Sequence, residues 1–237
     1  MYGQLFLIPT PLGGDDLRYV LPDGVFTAVT GLSTFVVEEL RTARRFLSAA
    51  GLKGRIETLE LYELNEHSTA ADAVRCLQPL LEGRNVGLLS EAGLPAIADP
   101  GAALVRLAQE HDIEVVPLAG PSSLMMALMA SGMNGQSFAF AGYLPVKPQL
   151  RRESLRKLER LSAQTGQTQI IIETPYRNDA MLADMIEVLN PSTRICVAAD
   201  ISLPTQFIKT RTAASWKKAP VSIGKRPCVF IISASNE

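Results

Sequence analysis

Three Gly/Pro-rich turns hold the residues best suited to gripping a ligand: PTPLGG at 9–14, SEAGLPAIADPG at 90–101 and LAGPSS at 118–123. Pro9 and Pro11 fix φ and remove two backbone donors, whereas Gly13, Gly14, Gly93 and Gly120 let another group approach bare main chain. Each turn follows an apolar run, LFLIP, VGLL or IEVVPL, of the kind buried in a parallel sheet. Loops at the carboxyl ends of such strands are where open α/β sheets bind ligands. Taken singly, the turns have structural explanations. Asp99 can cap a helix with Pro100 at its first position, and Ser122 and Ser123 can cap the next. Three together predict one pocket that reads its ligand largely through backbone groups.

Several chemistries are excluded. No GxxxxGK[ST] or GxGxxG occurs, so none of the turns is a phosphate loop. His67 and His111 are the only histidines and form no HExxH, so no His-based metal site or Ser-His-Asp triad is expected. Cys76, Cys196 and Cys228 are far apart, which predicts free thiols and a reducing, cytoplasmic setting. No apolar run approaches the roughly 20 residues of a membrane helix. The opening MYGQLFLIPTPLGG lacks a basic leader and reads as a strand rather than a signal peptide.

The elements that must position the turns follow from periodicity. A first strand covers 5–9, residues 17–21 open toward a loop, and Phe26–Thr30 reads as a second strand. Ser33 or Thr34 caps a helix over Phe35–Ala50, which Gly51 ends. Ile56–Leu61 is a strand and Ser68–Leu81 a helix. VGLL, the helix after Asp99 and IEVVPL complete a right-handed crossover. Past Gly120 the pattern restarts. It runs through an apolar helix LMMALMASGM, a strand Phe138–Tyr143, a basic helix Gln149–Ser162, a strand Thr168–Glu173 and a helix Arg177–Val188. Strands at Thr193–Ala199, Gln206–Arg211 and Cys228–Ser233 follow, the last two read as antiparallel. The expected architecture is two α/β domains, 1–119 and 120–237, joined by a short linker with a cleft between them.

Charge divides the same way. Residues 1–119 carry 9 Lys/Arg against 16 Asp/Glu, and residues 120–237 carry 14 against 8. Either the halves attract across an interface or the second half meets a polyanion.

Five ordered motifs carry a resemblance: IPTPLGG, SEAGLPAIADPG, VVPLAGPSS, GYLPVKPQLRR and IIETPYR. Together they resemble the tetrapyrrole methylase superfamily, the class III S-adenosylmethionine-dependent methyltransferases. The most similar branch is the ribosomal RNA small-subunit methyltransferase I family, which acts on a cytidine ribose 2′-hydroxyl. The resemblance spans about Leu5 to Ile232. It implies a cofactor folded into the cleft between two α/β domains, ribosomal RNA or the small subunit as partner, and a homodimer. By motif, Pro11, Leu12 and Gly13 pass under S-adenosylmethionine; Ala92, Gly93 and Leu94 contact it by main chain, with Ile97 packing nearby; Ser122 and Ser123 sit at its second turn. Glu173 and Ile201 close the pocket around the adenine. The sulfonium already activates the methyl group, so the protein need only align the acceptor and receive a proton. Candidates for that work are Glu39 and Arg41 of VEELR and Asn65 and Glu66 of LNEH, with Glu38 and Glu66 secondary. Lys147, Arg151 and Arg152 are the expected RNA phosphate contacts, continued by Arg156, Lys157 and Arg160.

The departures from the branch fall on polar positions. Glu91 and Leu94 stand where it has Asp and Thr, Glu38-Glu39-Leu40-Arg41 replaces its Glu-Asp-Thr-Arg, and Leu64 stands in place of a His. Its Pro-His-Arg is Pro175-Tyr176-Arg177, and its Arg-Glu-Leu-Thr-Lys is Ala199–Leu203. The framework therefore implies a methyl donor site, while the acceptor stays open between RNA, a small molecule such as a tetrapyrrole, and no acceptor at all.

Overall fold

The computed structural model describes residues 1–234. They form two compact units, residues 1–122 and 123–234.

The first unit contains β1 (Leu5–Leu7), α1 (Leu17–Val20), α2 (Asp23–Thr30), β2 (Thr34–Val37), α3 (Leu40–Leu47), β3 (Glu60–Glu63), α4 (Ala70–Leu81), β4 (Val86–Leu89), α5 (Ala102–Glu110) and β5 (Val115–Pro117). Its sheet has the order β3-β2-β4-β1-β5, and every pairing is parallel. Alternation along β2 explains the two-sided core. Phe35 and Val37 pack with Val25, Val29 and Leu47 on one face, and Val36 packs with Leu77, Leu80 and Leu104 on the other. Parallel strands buried on both faces direct every following loop to one rim, the carboxyl end.

The second unit contains α6 (Ser123–Ser131), β6 (Phe138–Tyr143), α7 (Pro148–Thr165), β7 (Thr168–Ile172), α8 (Asn178–Val188), β8 (Arg194–Ala199), β9 (Phe207–Thr212), α9 (Ala213–Lys218) and β10 (Cys228–Ser233). Its sheet order is β6-β7-β10-β8-β9. β10 runs antiparallel to both neighbours, so β7 and β8 are parallel and end at the same edge. Leu155, Met181, Met185 and Trp216 cover one sheet face around Phe230 and Val197.

Several elements differ from expectation. Phe26–Thr30 is helical, because the chain enters α2 through Pro22-Asp23 and buries Val25 and Val29 one turn apart. The helix expected over Phe35–Ala50 splits. Thr34–Val37 is a fully buried central strand, Glu39 caps α3, and Gly51 at φ 118 lies in the π-helical turn that follows. Residues 17–21 begin with the short helix α1, capped by Asp16. The strand expected at Ile56–Leu61 starts as a 3₁₀ turn and extends only from Glu60. Asp99 does not cap α5, which begins at Ala102; its carboxylate accepts from Ala96 N and Gly101 N instead, at 3.0 and 2.7 Å. β9 and β10 each pair antiparallel with β8 rather than with one another. Cys76, Cys196 and Cys228 are buried free thiols, and burial pushes Cys76 up to about 11 and Cys228 to about 12.

Candidate functional site

The carboxyl-end rim of the first sheet gathers the loops after β1 and β4. Thr10 N–H donates to Gly93 O at 2.9 Å, and Gly93 N–H returns to Thr10 O at 3.1 Å. Gly93 has φ +80, and a Cβ there would sit 3.2 Å from Leu12 Cδ2. The β5 loop is as tightly joined to β1, since a Cβ at Gly120 would lie 2.2 Å from Pro9 Cβ. Backbone thus meets backbone between the first two turns, which brings Leu12 to Gly93, and the third turn packs its Gly120 on the Pro9 ring.

Beyond Gly93 the chain is strained. Ala96 and Ala98 adopt φ 64 and 58, a region that disfavours a Cβ. The Asp99 bonds to Ala96 and Gly101 hold this bend, and Ile97 between the two alanines is 51% exposed. An apolar side chain kept outward by a strained backbone suits contact with a ligand.

A cavity of about 580 Å³ opens on this rim, lined by Thr10, Pro11, Gly13, Gly14, Asp15, Leu17, Thr42, Ala43, Arg45, Phe46, Ala49, Leu89, Ser90 and Glu91. Thr42 donates its hydroxyl to Glu91 Oε1 across it. Thr42 and Arg45 escaped the sequence reading. Their three-residue spacing on one face of α3 is the available signal, hidden because Ser33 and Thr34 mimic an earlier helix start.

The acceptor-side candidates separate. Glu39 accepts from Arg41 N at 2.9 Å and Thr42 N at 2.7 Å, bonds that hold its carboxyl below the ordinary range; both oxygens serve its own helix. Glu39 is thereby the N-cap of α3. Arg41 is exposed on the first turn of α3. Asn65 is engaged locally, accepting from His67 N and donating to Glu63, so it builds the loop after β3. Glu38 stands differently: it is half-buried, accepts from Glu91 N at 3.1 Å, and burial raises its carboxyl above the usual value.

In the second unit, Glu173 directly follows β7, with its side chain fully buried. Oε1 accepts from Thr174 N at 2.7 Å and Arg177 Nε at 2.9 Å, while Oε2 has no hydrogen-bond partner. A buried carboxylate oxygen without a donor is a place for one. Ile201 is buried at the end of β8, on the same sheet edge, between Asp200 and Ser202 at φ 50 and 70. Asp200 pairs with Arg226 at 2.7 Å and fixes that turn. Ser122 closes the first unit and Ser123 opens α6; both are half-buried.

The RNA candidates are corrected in part. Arg151 is buried, with Nε donating to Asp184 Oδ2 at 2.7 Å and Nη1 to Val146 O at 3.2 Å. Arg152 binds Asp184 Oδ1 at 2.6 Å and also Glu187. Both arginines tie α7 to α8 and are committed inside the unit. Lys147 remains exposed, as do Arg156, Lys157 and Arg160. Among the described residues, no group of histidines, cysteines and carboxylates is placed to hold a metal ion, and no helix is long and apolar enough to cross a membrane.

Comparison with known proteins agrees with this geometry. The family of Tetrapyrrole (Corrin/Porphyrin) Methylases matches residues 31–216. The Ribosomal RNA small subunit methyltransferase I of Escherichia coli O157:H7 is 32% identical over 97% of this chain and 77% of its own length. The solved methyltransferase CobJ superposes with a TM-score of 0.63 at 18% identity, over 98% of this chain and 94% of its own. Uroporphyrin-III C-methyl transferase from Thermus thermophilus, complexed with S-adenyl homocysteine, gives 0.61 at 15% identity over 98% and 97%. The parallel sheet with its three stitched turns and the shared sequence agree: this chain belongs to the tetrapyrrole methylase family, in its ribosomal RNA small subunit methyltransferase I branch, and is an S-adenosylmethionine-dependent methyltransferase.

Proposed function

We propose that the chain binds S-adenosylmethionine and methylates a ribose 2′-hydroxyl of small-subunit ribosomal RNA, in the cytoplasm. The residues present fit the donor. Gly93 offers bare backbone beside Leu12, and Glu173 keeps a buried oxygen ready for an exocyclic amine. Pro11, Leu12, Gly13, Ala92, Gly93, Leu94, Ile97, Ser122 and Ser123 would hold the donor, with Glu173 and Ile201 at the adenine. When bound, it supplies a methyl group already activated by a sulfonium.

The observation that carries the RNA acceptor is how the second unit spends its carboxylates. Glu173, Asp184, Glu187 and Asp200 are paired with arginines of the same unit. Asp179 accepts from the loop at Ser222–Gly224, and Glu159 from Asn190 and Thr193. Lys147, Arg156, Lys157, Arg160, Lys209, Lys217 and Lys218 are exposed and in no ion pair among the described residues. The excess positive charge of this half is therefore presented to solvent, as a phosphate backbone requires. Tyr176, 79% exposed with Lys225 Nζ 4.9 Å from its ring centroid, adds an aromatic face for an unpaired base.

The test joins transfer to binding. Labelled methyl should pass to small-subunit RNA and appear in alkali-resistant dinucleotides, the mark of a blocked 2′-hydroxyl. Replacing Arg156, Lys157 and Arg160 together by alanine should lower the slope of log affinity against log salt by roughly 0.7–0.9 per lost phosphate contact. Affinity for S-adenosylmethionine should stay unchanged. Label that reaches no RNA, together with salt-independent binding, would overturn the acceptor.

The homodimer is part of the same reading. Edge strand β6 exposes Phe138, Phe140 and Tyr143, and Val146 follows at 65% exposure. Apolar side chains along a sheet edge support pairing with a second copy. Sedimentation giving a monomer at tens of micromolar would remove this part.

A further inference from the structure

Glu39 spends both oxygens on the amides of Arg41 and Thr42. Its neighbour faces a different environment. β2 delivers Glu38 to the carboxyl-end rim beside β4, where its only hydrogen bond among the described residues is from Glu91 N, at 3.1 Å to Oε2. No cation pairs with it among the described residues. The charges that act on it are all carboxylates: Glu91 and Asp99 from the loop after β4, and Glu66 from the loop after β3. Glu91, whose amide holds Glu38, lines the 580 Å³ cavity together with Thr42 and Ser90.

We propose that Glu38 is the general base of the methyl transfer, its free Oε1 accepting the proton of the acceptor hydroxyl; this rests on the ribose reading above. The balance is simple. The hydroxyl oxygen gains the methyl group and loses its proton to Glu38, and the sulfur keeps the electron pair of the bond that breaks. A ribose hydroxyl is a weak nucleophile, and proton removal helps most when the base has a pKa near the working pH. Half-burial and three like charges move Glu38 in that direction. Glu39, held in its charged form by two amides, is moved away from it.

The sign of the pH dependence follows. Glu38 works as carboxylate, so kcat/KM should fall as pH drops through its raised pKa. That acid limb should lie above the range of an ordinary glutamate and vanish in Glu38→Gln. The experiment has two readouts on the full chain. The first is a carbon-13 titration of the glutamate carboxyls with no ligand present, with Glu38→Gln assigning the resonance. The second is single-turnover transfer from S-adenosylmethionine to small-subunit RNA by the wild type, Glu38→Gln and Glu38→Asp. Expected are a Glu38 resonance titrating above the exposed glutamates and a rate loss of about a hundredfold or more in Glu38→Gln. Glu38→Asp should recover part of the rate, and donor affinity by calorimetry should stay within about twofold. A Glu38 that titrates with the exposed glutamates, or a Glu38→Gln enzyme with its rate and acid limb intact, overturns the base assignment alone. A wild type that transfers no methyl to RNA overturns the ribose reading and the assignment with it.

Discussion

Replacing Asp184 by alanine should destabilise the second unit by about 3–5 kcal/mol, the range for removing one partner of a buried ion pair. Asp184 and Arg151 have side chains only 5% exposed, and Arg152 binds the other carboxylate oxygen. Without the carboxylate, the Arg151 guanidinium keeps the Val146 carbonyl but is otherwise an uncompensated charge inside the contact between α7 and α8. Asp184→Asn should lose somewhat less, since the amide oxygen can still accept one bond. Urea denaturation followed through Trp216, which is buried in this unit, reads the change directly. A loss below about 1 kcal/mol would mean that Arg151 is solvated, and would return it to the candidates for phosphate contact. The result also decides how RNA binding is probed: an alanine at Arg151 removes a strut of the fold, whereas alanines at Arg156, Lys157 and Arg160 remove only exposed charge.

Gly93→Val should abolish most of the affinity for S-adenosylmethionine, about a hundredfold or roughly 2.7 kcal/mol. Two costs combine. A β-branched residue is strained at φ +80, and its Cβ would press on Leu12 Cδ2 at 3.2 Å. Either relief, turning the backbone or moving Leu12, alters the bridge between Thr10 and Gly93 that sets two proposed donor-binding turns against each other. Gly93→Ala carries less bulk and should lose less. Calorimetry with S-adenosylmethionine, beside circular dichroism to confirm folding, measures both. An unchanged Kd in a folded Gly93→Val protein would move the donor away from this turn.

The sequence was most legible where one principle dominated. Apolar runs of four to six residues bounded by Gly and Pro mark β1, β4 and β5 and the turns after them, because strands of a covered parallel sheet leave few polar positions to confuse the pattern. The segment Phe26–Ala50 was illegible for the opposite reason. Val25 and Val29 read equally as strand or helix, and Ser33 and Thr34 are capping residues that here only lead into a strand. That shift hid Glu39 as the cap of α3 and Glu38 as the carboxylate left at the rim, although they are adjacent in sequence. The basic helix shows the same limit. A four-residue spacing sets Arg152, Arg156 and Arg160 on one face of the helix, but spacing cannot say that Asp184 lies opposite the first of them. Ion-pair partners thirty residues apart are decided by packing.

The three thiols give the molecule a pair of clocks. Cys76 lies on α4 in the first unit, and Cys196 and Cys228 lie on β8 and β10 in the second. All are buried and held protonated, so an alkylating reagent reaches each only when its surroundings open. Modification of Cys76 times the breathing of the parallel sheet, and modification of Cys196 and Cys228 times the separation of two paired central strands. A ligand that tightens one unit slows one clock and leaves the other running.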